Sequence, residues 1–110
     1  MKILIIDDER TNVVMLEHLL KTRGYTRLLG LTDSAKAGET CATFEPDLIL
    51  LDLMMPDPDG FAILEMLRSA DGSESFLPII VLTADVTEEA KERALEAGAT
   101  DFLVKPVSRT

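Results

Sequence analysis

The chain is 110 residues long, enough for one domain with a buried core, and 46% of its residues are apolar. Its net charge of −9 argues against direct binding of nucleic acid or anionic lipid by this domain. No apolar run approaches the ~18 residues of a membrane helix, the N-terminal run is too short for a signal peptide, and the lone Cys41 cannot form an internal disulfide, so a cytoplasmic protein is expected.

In chain order, Lys2 to Ile6 is a β-branched and Leu run that breaks into Asp7-Asp8. From Glu9 to Arg23, apolar Val13, Leu16, Leu19 and Leu20 recur at the spacing of one helical face, and Gly24 follows as a stop. Tyr25 to Leu31 reads as a second strand. Thr32-Asp33-Ser34 offers capping oxygens for a helix whose buried face is marked by Ala37, Cys41 and Phe44, and Pro46 ends it. Asp47-Leu48-Ile49-Leu50-Leu51-Asp52 is a third strand, and Pro56-Asp57-Pro58-Asp59-Gly60 a tight loop in which Asp59 caps the next helix. Phe61, Leu64 and Leu67 define that helix, and Asp71-Gly72-Ser73 a loop. Leu77 to Leu82 is a strand closed by Thr83. Thr87 to Ala97 is a helix with Ala90, Ala94 and Ala97 inward and Gly98 at its end. Thr100 to Val104 is a final strand, followed at once by Lys105-Pro106.

This alternation implies a doubly wound parallel sheet of five strands, with 2-1-3-4-5 as the natural order. The run ending at Asp52 is the informative one. A strand apolar throughout is buried on both faces, and burying an unpaired carboxylate at its end is costly. Asp52 therefore belongs at the open C-terminal edge of the sheet, where such folds bind ligands. The same order brings Asp7-Asp8, Thr83 and Lys105 to that edge. Carboxylates crowded there repel one another, and a hard divalent cation such as Mg²⁺ would relieve the repulsion. Lys105 adds a point charge suited to a phosphate oxygen and Thr83 a hydroxyl donor. The set describes a phosphoryl site with Asp52, on the central strand, as nucleophile.

The motifs Ile5-Ile6-Asp7-Asp8-Glu9, Asp52-Leu53-Met54-Met55-Pro56 with Asp59-Gly60-Phe61, Leu82-Thr83-Ala84, and Gly98-Ala99-Thr100-Asp101-Phe102 leading to Lys105-Pro106 resemble the receiver domain of two-component response regulators. The resemblance covers essentially the whole chain, in order and at matching spacing. It implies a flavodoxin-like fold and a phosphoacceptor at Asp52, loaded by a histidine kinase or phosphotransfer protein. It also implies Mg²⁺ held by Asp8 and Asp52, with Asp7 acting mostly through water and the Met54 backbone carbonyl completing the set. Thr83 is then the switch hydroxyl, Lys105 the phosphate-binding lysine, and Phe102 an aromatic that turns inward on activation. A cis Lys105–Pro106 bond is implied on the same ground.

Simpler roles stand beside these. Asp7 could merely cap the first helix, Phe102 is most simply a core aromatic, His18 a surface residue, and Met54-Met55 a packing pair. A phosphohydrolase of the Asp-x-Asp type would need a second carboxylate where Met54 stands. A nucleotide-binding domain would need a Gly-rich loop that no strand supplies. A receiver-like module that binds a partner without phosphorylation is the third alternative. Two features depart from the family: Asp57-Pro58 makes the loop stiffer and more acidic, and the chain stops at Val107-Ser108-Arg109-Thr110, where the family begins a fifth helix. Residues 1–110 are accordingly expected to be a receiver domain truncated before that helix, from which an output domain could have followed. The sheet face shared with the first helix is expected to be partly uncovered, inviting a homodimer.

Overall fold

The computed structural model describes residues 1–55, 59–71, 77–84 and 87–104. Strands β1 (Lys2–Ile6), β2 (Arg27–Leu31), β3 (Leu48–Asp52), β4 (Ile79–Thr83) and β5 (Asp101–Val104) form one parallel sheet in the order β2-β1-β3-β4-β5. Helices α1 (Arg10–Thr22), α2 (Ala37–Phe44), α3 (Gly60–Asp71) and α4 (Glu88–Glu96) connect them, with a 3₁₀ turn over Ser34–Lys36 ahead of α2. The expected topology is the observed one, with four α-helices among the described residues.

Side chains of a strand alternate between faces, so each inner strand feeds two cores. Leu4, Ile6, Ile49, Leu51, Ile79 and Val81 face α2, α3 and α4, where Ala37, Ile63, Leu64, Leu67 and Ala94 meet them. Ile3, Ile5, Leu50 and Leu82 face α1 through Val13 and Leu16. Burial on both sides explains the unbroken apolar runs. On the α1 side, β2 has room for the helix because Gly30 lacks a Cβ, which would run into Val13 Cγ1. At the β5 end of that side, Leu103, opposite Leu82 in register, is 43% exposed.

Element ends are set by local chemistry that periodicity reads imperfectly. Helix α1 closes in a Schellman motif, with Gly24 at φ +96°, its N–H donating to Lys21 O at 3.1 Å and the Tyr25 N–H to Leu20 O at 3.1 Å. Tyr25 thus belongs to the helix cap, and the second strand starts at Arg27 rather than at Tyr25. Helix α4 closes the same way: Gly98 is at φ +112°, and the Ala99 N–H donates to Ala94 O at 3.0 Å. Thr87 caps its start, accepting from the Ala90 N–H at 3.2 Å. The capping oxygen of Asp33 serves the 3₁₀ turn, accepting from the Ala35 N–H at 3.2 Å, so α2 begins later than its cap signal suggests. Helix α2 ends before Pro46, on Glu45 in the left-handed region at φ 51°, a position where glycine would be expected. His18 is exposed, and Cys41 is half-buried against the larger core.

Candidate metal and phosphoryl site

Strand register builds the site. Ile6 pairs with Leu51 across β1 and β3, so the next residues on the two strands, Asp7 and Asp52, come out side by side. Asp52 pairs with Leu82 of β4, and Thr83 stands one step beyond. Asp7, Asp52 and Thr83 are all buried, at 1%, 2% and 2% exposure, whereas Asp8 faces solvent. One carboxylate oxygen from each of Asp7, Asp8 and Asp52 falls within 4.8 Å of the others. Two unit charges at such a separation repel by roughly 3 kcal/mol at an effective dielectric of ~20. A donor set made wholly of carboxylate oxygens, partly sunk and partly open to solvent, fits a hard cation that keeps some of its waters, as Mg²⁺ does.

The loops hold these carboxylates in place. Asp7 Oδ1 accepts from the Glu9 N–H at 3.0 Å, turning the chain into α1. Glu9 itself occupies the N-cap position without a side-chain cap, so Asp7 shapes the turn and also faces the acid cluster. Asp52 Oδ1 accepts from the Met54 N–H at 3.1 Å, which folds the chain back just after β3. That fold is tight because α3 starts against it. A Cβ on Gly60 would run into Leu53 Cα and the Asp52 carbonyl oxygen, so Gly60 is needed for close approach and not for a positive φ. Asp59 caps α3 as expected, accepting from the Ala62 N–H at 2.9 Å.

The expected methionine pair divides. Met55 is buried in the larger core, but Met54 is 57% exposed and reaches across to the next loop, where its sulfur accepts from the Ala84 N–H at 3.4 Å. Its packing role is therefore corrected: Met54 spans the mouth between the β3 and β4 loops. Phe102 is half-buried against the larger core, opposite Val81 in register. Lys105, the Lys105–Pro106 bond and the Asp57-Pro58 departure lie outside the described residues.

Sequence reasoning missed a second polar cluster away from the acids. Arg68 on α3 donates through Nε to Gly98 O at 2.6 Å, through Nη1 to Leu77 O at 2.6 Å and through Nη2 to Thr100 Oγ1 at 3.0 Å. Arg93 of α4 stacks over the Phe61 ring at 3.8 Å. Together they lash α3 to α4 and its following loop, beneath a groove lined by Glu65, Arg68, Ser69, Arg93, Glu96 and Ala97. Nothing in periodicity marks an arginine that bonds backbone carbonyls from other elements.

Residues 3–110 match the family of response regulator receiver domains. The chain belongs to that family. It is 42% identical over 107 residues to the transcriptional regulatory protein CusR of Escherichia coli, covering 96% of this chain and 45% of CusR. It is 38% identical over 107 residues to the alkaline phosphatase synthesis transcriptional regulatory protein PhoP of Bacillus subtilis, covering 97% of this chain and 43% of PhoP. The chain thus spans less than half the length of either relative. A solved structure of the Vibrio cholerae chemotaxis protein CheY4 superposes with a TM-score of 0.88 at 30% identity, covering 98% of this receiver domain and 88% of that chain. Receiver domains are the signalling switches of two-component systems, and accepting a phosphoryl group is their general function. No described helix of this one is long and apolar enough to cross a membrane.

Proposed function

We propose that residues 1–110 act as one cytoplasmic receiver domain that takes a phosphoryl group on Asp52 from a histidine kinase or phosphotransfer protein. The observation that carries this reading is the meeting of buried Asp52 and Asp7 with solvent-facing Asp8 at the sheet edge, beside buried Thr83. An Asp52 carboxylate oxygen attacks the phosphorus of a phosphohistidine. The O–P bond forms, the N–P bond breaks, and the imidazole leaves with the electron pair and takes up a proton. Mg²⁺, held by Asp8, Asp52 and the Met54 backbone carbonyl, with Asp7 acting through water, would neutralise charge on the phosphoryl oxygens. Thr83 donates its hydroxyl to one of those oxygens, and Lys105 offers its ammonium to another.

The acyl phosphate then draws Thr83 inward, and Phe102 follows into the space vacated. The surface of α4 and β5 changes, and an output domain or separate partner reads it. The chain is a switch and not a dedicated enzyme: Met54 stands where an Asp-x-Asp hydrolase has its acid–base carboxylate, which leaves only slow self-dephosphorylation. The test is intact mass after incubation with acetyl phosphate and Mg²⁺. Wild type gains one phosphate, and Asp52→Ala or chelation of the metal gives none. Uptake by folded Asp52→Ala equal to wild type would sink the assignment.

A further inference from the structure

We propose that Met54 is a redox-sensitive modification site, and that its oxidation to the sulfoxide by a peroxide closes the mouth of the phosphoryl site. The inference deepens the proposed function and rests on it. Met54 lies two residues after Asp52, its own N–H bound to Asp52 Oδ1 at 3.1 Å. Its side chain nevertheless leaves the core, is 57% exposed, and places its sulfur 3.4 Å from the Ala84 N on the facing loop. Ala84 follows Thr83 directly, so this N–H lies beside the hydroxyl proposed to bind the phosphoryl group. A phosphoryl group arriving on Asp52 brings several acceptor oxygens into that gap and competes with the sulfur for the amide.

A thioether is a weak acceptor and yields readily. A sulfoxide oxygen is a much stronger one. In the oxidation, the sulfur lone pair attacks one peroxide oxygen, the O–O bond breaks, and Met54 sulfoxide and water (or an alcohol) result. Sulfur is oxidised by two electrons and the peroxide is reduced by two. The new oxygen holds the Ala84 N–H against an incoming phosphoryl group and tightens the bridge across the mouth. The neighbouring Met55, 6% exposed, is shielded from the same reagent. Met1, Met15 and Met66 are exposed at 64%, 39% and 38%, but they lie on other elements, and their oxidation should leave the site alone.

The experiment treats the folded chain with hydrogen peroxide and maps oxidised methionines by peptide mass. It then measures the rate of phosphate uptake from acetyl phosphate with Mg²⁺, each protein compared with its own untreated sample. The expected result is a roughly two- to tenfold slower uptake by oxidised wild type, the range one strengthened hydrogen bond produces. Methionine sulfoxide reductase should restore the rate, and Met54→Leu should show no change on peroxide treatment. In parallel, the Ala84 amide resonance should move on oxidation of wild type and stay fixed in Met54→Leu. An unmoved Ala84 resonance, or a moved one with unchanged uptake, overturns the inference while leaving the receiver reading intact. Untreated wild type that takes up no phosphate overturns both.

Discussion

Asp7 shows how much one carboxylate can be asked to do. One of its oxygens is bound by the Glu9 N–H and turns the chain into α1, while the residue stays buried beside Asp52. These two duties can be separated by Asp7→Asn. The amide oxygen can still accept from Glu9, so the turn survives, but the charge facing Asp8 and Asp52 is gone. The expected outcome is a fall of about tenfold or more in Mg²⁺ affinity with an unchanged far-ultraviolet circular dichroism spectrum, read by titration with Mg²⁺ or Mn²⁺. Equal affinity in the two proteins would confine Asp7 to the turn. The turn and the crowding of acids were both legible in the pattern Asp7-Asp8-Glu9. Met54 was less so, because a Met-Met pair after a strand gives no sign of which sulfur goes inward. Only the path of the loop buries Met55 and exposes Met54.

At the scale of elements, the site depends on how α3 is seated on the end of β3. Gly60 allows the helix to begin in contact with Leu53 and the Asp52 carbonyl. Both contacts are backbone, which cannot swing aside as a flexible side chain can. Gly60→Ala should therefore cost about 1–3 kcal/mol in urea unfolding, the range of overpacked cores. It should also slow phosphate uptake, because the loop holding Asp52 must move. Loss of stability no larger than for an exposed helical Gly→Ala change would show that the loop has slack. In the sequence, Gly60 read only as the end of a tight loop; the real constraint is space, and space is a property of two elements together. The Arg68 clamp is legible only at this scale as well, since its acceptors, Gly98, Leu77 and the Thr100 hydroxyl, come from segments brought together by the sheet.

For the whole molecule, metal held by the acid cluster would be linked to folding, because the unfolded chain does not hold the carboxylates together. Mg²⁺ should raise the apparent stability by about 1–3 kcal/mol at roughly ten to a hundred times its Kd. The rise should shrink in Asp52→Ala, as followed by thermal unfolding with and without chelator. An identical Mg²⁺ response in that variant would place the binding elsewhere on this acidic chain. The exposed apolar edge of the sheet is the second whole-molecule feature. Leu103 at the β5 end of the α1 face is exposed, with Ile80 and Leu48 half-buried on the same face. Sedimentation should show a mass that rises with concentration, and Leu103→Lys should hold the chain monomeric. A wild type that stays monomeric throughout would show that this face does not pair copies.

The sequence by itself determined the order of strands and helices, the sheet topology and the residues that end its strands in acid or hydroxyl. These follow from periodicity and from the cost of burying charge, which act through neighbours a few positions apart. The tertiary structure alone decided what depends on distance across the chain. It set the 4.8 Å grouping of Asp7, Asp8 and Asp52, the glycine demanded at 60, the left-handed Glu45, the Arg68 clamp and the reach of Met54 to Ala84. Each of these is fixed by where two separate segments come to rest against one another, and no local pattern carries that information.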